Sequence, residues 1–142
     1  MKKIFVVEAR FYEDIADKLF EGALKELEKS GYKFDKFSVP GAFEIPAAIN
    51  FAIQSKKYDG YIALGCVIRG QTTHYDYVCE ESARGLNDLA LKYNAAIGYG
   101  IITAENREQA NVRADANAKN VGGRAAKACF SMIELKEKLG AA

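Results

Sequence analysis

The chain has a single histidine, His74, at the end of the run Gly65-Cys-Val-Ile-Arg-Gly-Gln-Thr-Thr-His74. Imidazole titrates near neutrality and can pass protons in either direction. Gly65 and Gly70 have the spacing of a phosphate loop, but Gln71-Thr72 stand where Lys-Ser or Lys-Thr would follow. A nucleoside-triphosphate site is therefore disfavoured. A simpler anion site fits the same residues. Gly70 lets the backbone come close, and the N–H groups of Gln71, Thr72 and Thr73 precede a helix, whose N-terminus favours a bound phosphate. The bland reading stands beside it: a turn, with Thr72 or Thr73 as a helix cap and His74 on the surface.

Other residues admit two readings in the same way. Phe43-Glu44 opens a helix, where the phenylalanine suits a core and the carboxylate suits the helix dipole. Glu44 can equally accept hydrogen bonds from a polyol while an aromatic packs beside it. Phe11, in a loop between Arg10 and Tyr12, is a stacking platform or simple packing. Arg113 lies on a helix four residues after Gln109, a place where arginines are usually solvated.

These residues must be held by elements that the hydrophobic pattern marks out. Ile4-Phe5-Val6-Val7 is a continuous apolar run, as in a strand buried on both faces. Ile15, Leu19, Ala23, Leu24 and Leu27 then recur at helical spacing, with Gly31 as a stop. Phe34 to Val39 predicts a second strand, and Ala42 to Gln54 a helix with Pro46 in its first turn. Tyr58 to Ile68 holds a third strand and Tyr75 to Lys92 a long helix. Ala95 to Ile102 is the fourth strand, followed by helices over Glu105–Ala118 and Val121–Leu139. Such alternation predicts an α/β fold, a parallel sheet covered by helices on both faces. Ligands in such folds bind beyond the carboxyl ends of the strands. Phe11, Phe43-Glu44 and the turn before His74 all fall on that edge.

The length of 142 residues fits one domain, 1–142, against a prior of about 150 residues each. Hydrophobic residues at 49% and charged residues at 27% exclude disorder and a coiled-coil rod. With 20 basic and 19 acidic residues and no basic block, nothing points to nucleic acid. No apolar run approaches the roughly 18–20 residues that span a bilayer, so no membrane partner is expected. Cys66, Cys79 and Cys129 are odd in number and far apart, without metal-ligand spacing. They are read as reduced core residues of a cytoplasmic protein.

Taken together these fragments resemble the lumazine synthase family, an enzyme of riboflavin biosynthesis. The resemblance is carried by Glu8-Ala-Arg-Phe-Tyr12, Val39-Pro-Gly-Ala-Phe-Glu-Ile-Pro46, Leu64-Gly-Cys-Val-Ile-Arg-Gly-Gln-Thr-Thr-His-Tyr-Asp-Tyr-Val78, Gly100-Ile-Ile-Thr-Ala-Glu-Asn106 and Glu108-Gln-Ala110. It implies a flavodoxin-like three-layer sandwich with a four-stranded parallel sheet. It implies condensation of 5-amino-6-(D-ribitylamino)uracil with 3,4-dihydroxy-2-butanone 4-phosphate, a transferase reaction needing no metal or organic cofactor. By motif position, Phe11 stacks on the pyrimidine and Ala42, Phe43 and Glu44 line the ribityl chain. Cys66, Val67 and Ile68 touch the pyrimidine, Gln71 and Thr72 hold phosphate, and His74 shuttles protons. Tyr99 and Arg113 reach the site from a neighbouring subunit.

The implied partners are the small-molecule substrates, further copies of the chain in a pentamer with sites between subunits, and a riboflavin synthase. The first strand begins almost at the first residue, and Ala114 to Gly123 is longer than in shell-forming members. Both features predict a ring that does not close into an icosahedral shell. One position departs from the family pattern: Val121 stands where a lysine is expected. That departure keeps open an alternative, a flavin- or lumazine-binding homologue with little turnover.

Overall fold

The computed structural model describes residues 2–142. Four strands, β1 (Lys3–Ala9), β2 (Lys33–Val39), β3 (Gly60–Ile68) and β4 (Ile97–Ala104), alternate with α1 (Glu13–Ser30), α2 (Ile45–Ser55) and α3 (His74–Tyr93). Two more helices, α4 (Arg107–Ala114) and α5 (Val121–Leu139), follow β4. All strand pairs are parallel, in the order β2-β1-β3-β4.

The apolar run of β1 is buried because successive side chains of a strand point to opposite faces and both faces here are covered. Ile4 and Val6 enter a cluster with Ile15, Leu19 and Leu27 of α1 and Ala126 and Cys129 of α5. Phe5 and Val7 enter a second cluster with Ile45 and Ile49 of α2 and Val78 and Leu86 of α3. The sheet is thus the middle of three layers. The stripe predicted for α1 is the buried one except that Leu24 is only half-buried, and the helix stops at Gly31 in the left-handed conformation, φ 73°.

Most boundaries fall within a residue or two of those the sequence predicts, β4 lying two residues later than Ala95–Ile102, and two helices differ in a way that has a local cause. The helix expected from Ala42 begins as a 3₁₀ turn over Ala42–Glu44 and becomes α-helical at Ile45. Pro46 has no N–H to reach the Ala42 carbonyl, which accepts from Ile45 instead. The helix expected over Glu105–Ala118 spans only Arg107–Ala114. Asp115 ends it: the backbone turns extended, the carbonyl accepts from Ala118 and Asn120, and the carboxylate accepts from the Asn117 N–H at 2.8 Å. An Asp side chain competes with the helix for local donors in this way.

Helix α5 lies unusually close to the sheet. A methyl group at Gly98 of β4 would collide with the Ala125 carbonyl oxygen, and one at Gly122 with that of Leu19. Among the described residues no helix is long and apolar enough to cross a membrane. Gly98→Ala is expected to destabilise the fold by about 1–3 kcal/mol, the cost of overpacking a filled core. Urea denaturation measures it; an unchanged midpoint would refute the tight α5–β4 contact.

Candidate active site

The carboxyl ends of β1 and β3 lie side by side, and the chain leaves them in opposite directions: from β1 to β2 on one side, from β3 to β4 on the other. A doubly wound sheet opens a crevice at such a point. Here the crevice is a cavity of about 530 Å³, well within the range of small-molecule sites. A cavity at the opposite end of the sheet, near Lys2 and Tyr61, is about 200 Å³. Of the residues singled out in the sequence, Phe11, Ala42, Phe43, Glu44, Cys66, Val67, Ile68, Thr72 and His74 line the larger cavity. Tyr12, Gly41, Gly70, Tyr75 and Val78 line it as well. Val78 follows His74 by four residues on α3, so helical periodicity alone could have placed it on the same face.

Phe11 is 73% exposed, and the edge of Tyr12 at 4.9 Å between centroids is its one ring partner among the described residues. The loop around it is held from both sides. Arg10 donates to Glu8 at 2.8 Å and to Asp17 of α1 at 2.7 Å. Arg107 pairs with Asp14 and lies over the Tyr12 ring, 5.5 Å from its centroid. Glu8 is fully buried, with Lys36 at 3.6 Å from the oxygen that Arg10 binds, while its other oxygen has no protein partner. The bare Phe11 ring is therefore aimed by its neighbours rather than by its own packing.

Across the cavity, Phe43 and Glu44 project from the 3₁₀ turn, both exposed. The floor is the end of β3. Burial pushes the Cys66 thiol up to about 12, so it is protonated at neutral pH and is no thiolate nucleophile. The turn that follows is the anion-site candidate. No protein acceptor takes the N–H groups of Gln71, Thr72 or Thr73 among the described residues. Thr73 is the N-cap of α3 but makes no side-chain cap; Thr72 Oγ1 instead accepts from the His74 N–H at 3.3 Å. These free donors, next to a helix start and beside an open Gly70, suit an anion. His74 is exposed at the same rim, and Gln71 lies in the turn without lining the cavity.

Two of the singled-out residues lie elsewhere. Tyr99, on β4, is 42% exposed in a separate depression with Leu86, Ala90 and Ile97. Burial raises its hydroxyl pKa. Arg113, on α4, is half-buried; it donates to the Gln109 carbonyl at 3.1 Å and pairs with no carboxylate among the described residues. Neither borders the cavity, whose lining includes no lysine or arginine. Val121 is half-buried and packs against the α1–α5 cluster, where it serves as core. Asn120 before it is in the left-handed conformation, φ 48°, and caps α5 by accepting from Gly123 at 3.1 Å.

Relatives of known name share this sequence over nearly its whole length. The family described as 6,7-dimethyl-8-ribityllumazine synthase matches residues 1–137. A 6,7-dimethyl-8-ribityllumazine synthase from Bartonella tribocorum is 54% identical, over 96% of this chain and 91% of its own. Its counterpart in Agrobacterium fabrum is 52% identical over 96% of both chains, and that of Paramagnetospirillum magneticum 44% over 99% and 98%. A solved chain from Peptoclostridium difficile 630, at 14% identity and TM-score 0.54, covers 93% of this chain and 99% of its own and shares the fold alone. With a family match over residues 1–137 and identities near one half, this chain belongs to the 6,7-dimethyl-8-ribityllumazine synthase family.

Proposed function

We propose that the chain condenses 5-amino-6-(D-ribitylamino)uracil with 3,4-dihydroxy-2-butanone 4-phosphate to give 6,7-dimethyl-8-ribityllumazine, phosphate and water. The observation that carries this reading is one cavity bordered by a bare aromatic, an exposed carboxylate, a strand end and a turn of unused N–H donors. The pyrimidine stacks on Phe11 and meets the backbone of Cys66, Val67 and Ile68, which lie beyond the end of the β1–β3 ladder. The ribityl chain runs along Ala42 and Phe43, and Glu44 accepts from its hydroxyls. The phosphate of the butanone sits on the N–H groups of Gln71 and Thr72, with the ketone carbonyl turned toward the pyrimidine amine.

The chemistry then follows from what is held together. The amine adds to the carbonyl and loses water to give an imine, phosphate leaves, and ring closure with a second dehydration completes the product. Proximity of the two substrates supplies much of the rate. His74, at the phosphate rim, carries protons between the leaving and attacking groups. An absorbance assay for lumazine formation from the two substrates tests the whole reading. His74→Ala is expected to slow turnover by roughly ten- to ten-thousandfold. No lumazine from the wild-type chain sinks the reading, and unchanged turnover in the variant removes His74 from it. Val121 favours a second reading, a flavin- or lumazine-binding homologue, because valine brings neither charge nor a donor; the same assay separates the two.

A dianionic phosphate facing a cavity without lysine or arginine lacks a countercharge. Arg113, free of carboxylates, supplies it from a neighbouring copy, and Tyr99 of that copy closes the pocket. The surface supports such an arrangement. Phe37 and Phe51 are exposed beside the β2 edge of the sheet, and Leu91, Tyr99, Leu135 and Leu139 beside the β4 edge. Two different apolar edges on one chain pair head to tail, and such pairing closes into rings. We take the ring as a pentamer, not closing into a shell, with a riboflavin synthase consuming the product. Unpaired cysteines fit a reducing cytoplasm. Chains carrying His74→Ala mixed one to one with chains carrying Arg113→Ala should regain about a quarter of wild-type activity, since one site in four draws both intact residues in a randomly mixed ring. Activity no higher than the two parents' average would refute the shared site, and light scattering showing a monomer would do the same.

A further inference from the structure

The sequence places an arginine, Arg69, directly before the Gly70–Thr73 turn, where it would be an obvious phosphate ligand. The side chain is engaged otherwise. Its Nε donates to both carboxylate oxygens of Glu105, at 2.9 and 3.1 Å. Its Nη2 lies 3.3 Å from Asp76 Oδ1, and the guanidinium carbon sits 4.4 Å from the centroid of the Tyr75 ring. Two carboxylates face one guanidinium, so its charge and its donors are already taken up within the chain.

What the side chain grips is informative. Arg69 enters the turn and Tyr75 and Asp76 leave it, so one guanidinium joins the two ends of the loop. Between them, Gly70 to His74 are exposed and share a single internal hydrogen bond, from the His74 N–H to Thr72 Oγ1. The third anchor, Glu105, is itself fixed: its N–H donates to Gln109 Oε1 at 2.8 Å, and Gln109 N–H donates to Asn106 Oδ1 at 2.9 Å. The Arg69 backbone N–H also reaches the Ala104 carbonyl at 2.9 Å, extending the β3–β4 contact one residue beyond β3. The turn has no packing of its own to define its shape.

We propose that Arg69 is a positioning residue, which holds the Gly70–Thr73 turn and His74 in place through Glu105, Asp76 and the Tyr75 ring and does not itself bind phosphate. The proposal rests on the reading of this turn as the phosphate site. Because Arg69 acts through Glu105, removing either partner loosens the turn. A ligand role predicts the reverse for Glu105, since removing its carboxylate would free the guanidinium for phosphate.

The experiment uses the assembled full chain with Arg69→Met, Arg69→Lys and Glu105→Gln. Inorganic phosphate is titrated by calorimetry, and KM is measured separately for each substrate. Arg69→Met and Glu105→Gln should each weaken phosphate binding and raise KM for the butanone phosphate about three- to fivefold, the upper part of what an exposed ion pair contributes. KM for the pyrimidine should stay within about twofold, and thermal stability should change little, because the pair is exposed. Tighter or unchanged phosphate binding in Glu105→Gln overturns the proposal. So does a wild-type chain that binds no phosphate, which overturns the phosphate site with it. A wild-type chain that binds phosphate but forms no lumazine sinks only the proposed reaction, and the titration still decides the role of Arg69. Should Arg69→Met fail to fold, Glu105→Gln and Arg69→Lys carry the comparison, with lysine, lacking the two-pronged donor geometry, expected to restore little.

Discussion

Strands that run in one direction all end on one edge, and much else in this molecule follows from that. Because both faces of the central strands β1 and β3 are buried, those strands have little room for polar groups that do chemistry. The one charged side chain sealed inside among the described residues, Glu8, stands near the carboxyl end of β1 and answers to Arg10 in the loop beyond. Functional side chains are therefore expelled to the connections, and at the carboxyl end the connections from β1, β2 and β3 converge on one crevice. Strand register sets how they meet: Ala9 lies opposite Val39, so β1 and β2 stop level, while Glu8 lies opposite Leu64, so β3 runs on past them through Cys66 and Val67 to Ile68.

Charge pairing decides what those connections can do. Arg10, Arg69 and Arg107 surround the crevice, and each is matched with carboxylates of its own chain. Their work is to brace loops that have little packing. Phe11 and the Gly70–Thr73 turn are thereby left bare, one as an aromatic surface and the other as a row of donors. Braced loops of this kind suit a reaction driven by holding two molecules in register.

Much of this was legible in the residues. The Ile4–Val7 run, the α1 stripe and the glycine that ends α1 identify their elements because each depends on local rules of burial and backbone freedom. The edge location of Phe11, Glu44 and His74 followed from the parallel sheet alone. The boundaries that moved did so for reasons local propensity underweights: one missing N–H at Pro46, one competing carboxylate at Asp115. Tyr99 and Arg113 are the two singled-out residues that spacing does not bring to the cavity: one lies on β4 and the other on α4, and neither borders it. The engagement of Arg69 was equally hidden, because Glu105 lies on a different strand's exit loop and only the β3–β4 register brings it close.

The closeness of α5 to the sheet bears on how the chain is made. The face of the sheet that α5 covers includes Ile62, Leu64 and Ile102, and the seam at Gly98 and Gly122 admits the helix only when nothing larger stands in the way. Helix α5 is the final element in the order of synthesis among those described. While it is still within the ribosome, all four strands and α1 can have emerged, yet one side of their sheet stays wet and adhesive. The nascent chain thus passes through a stage in which its central strands are exposed to other chains, and α5 ends that stage by docking. A slower passage through the codons for 115–139 would lengthen the exposure without altering a single residue of the finished protein.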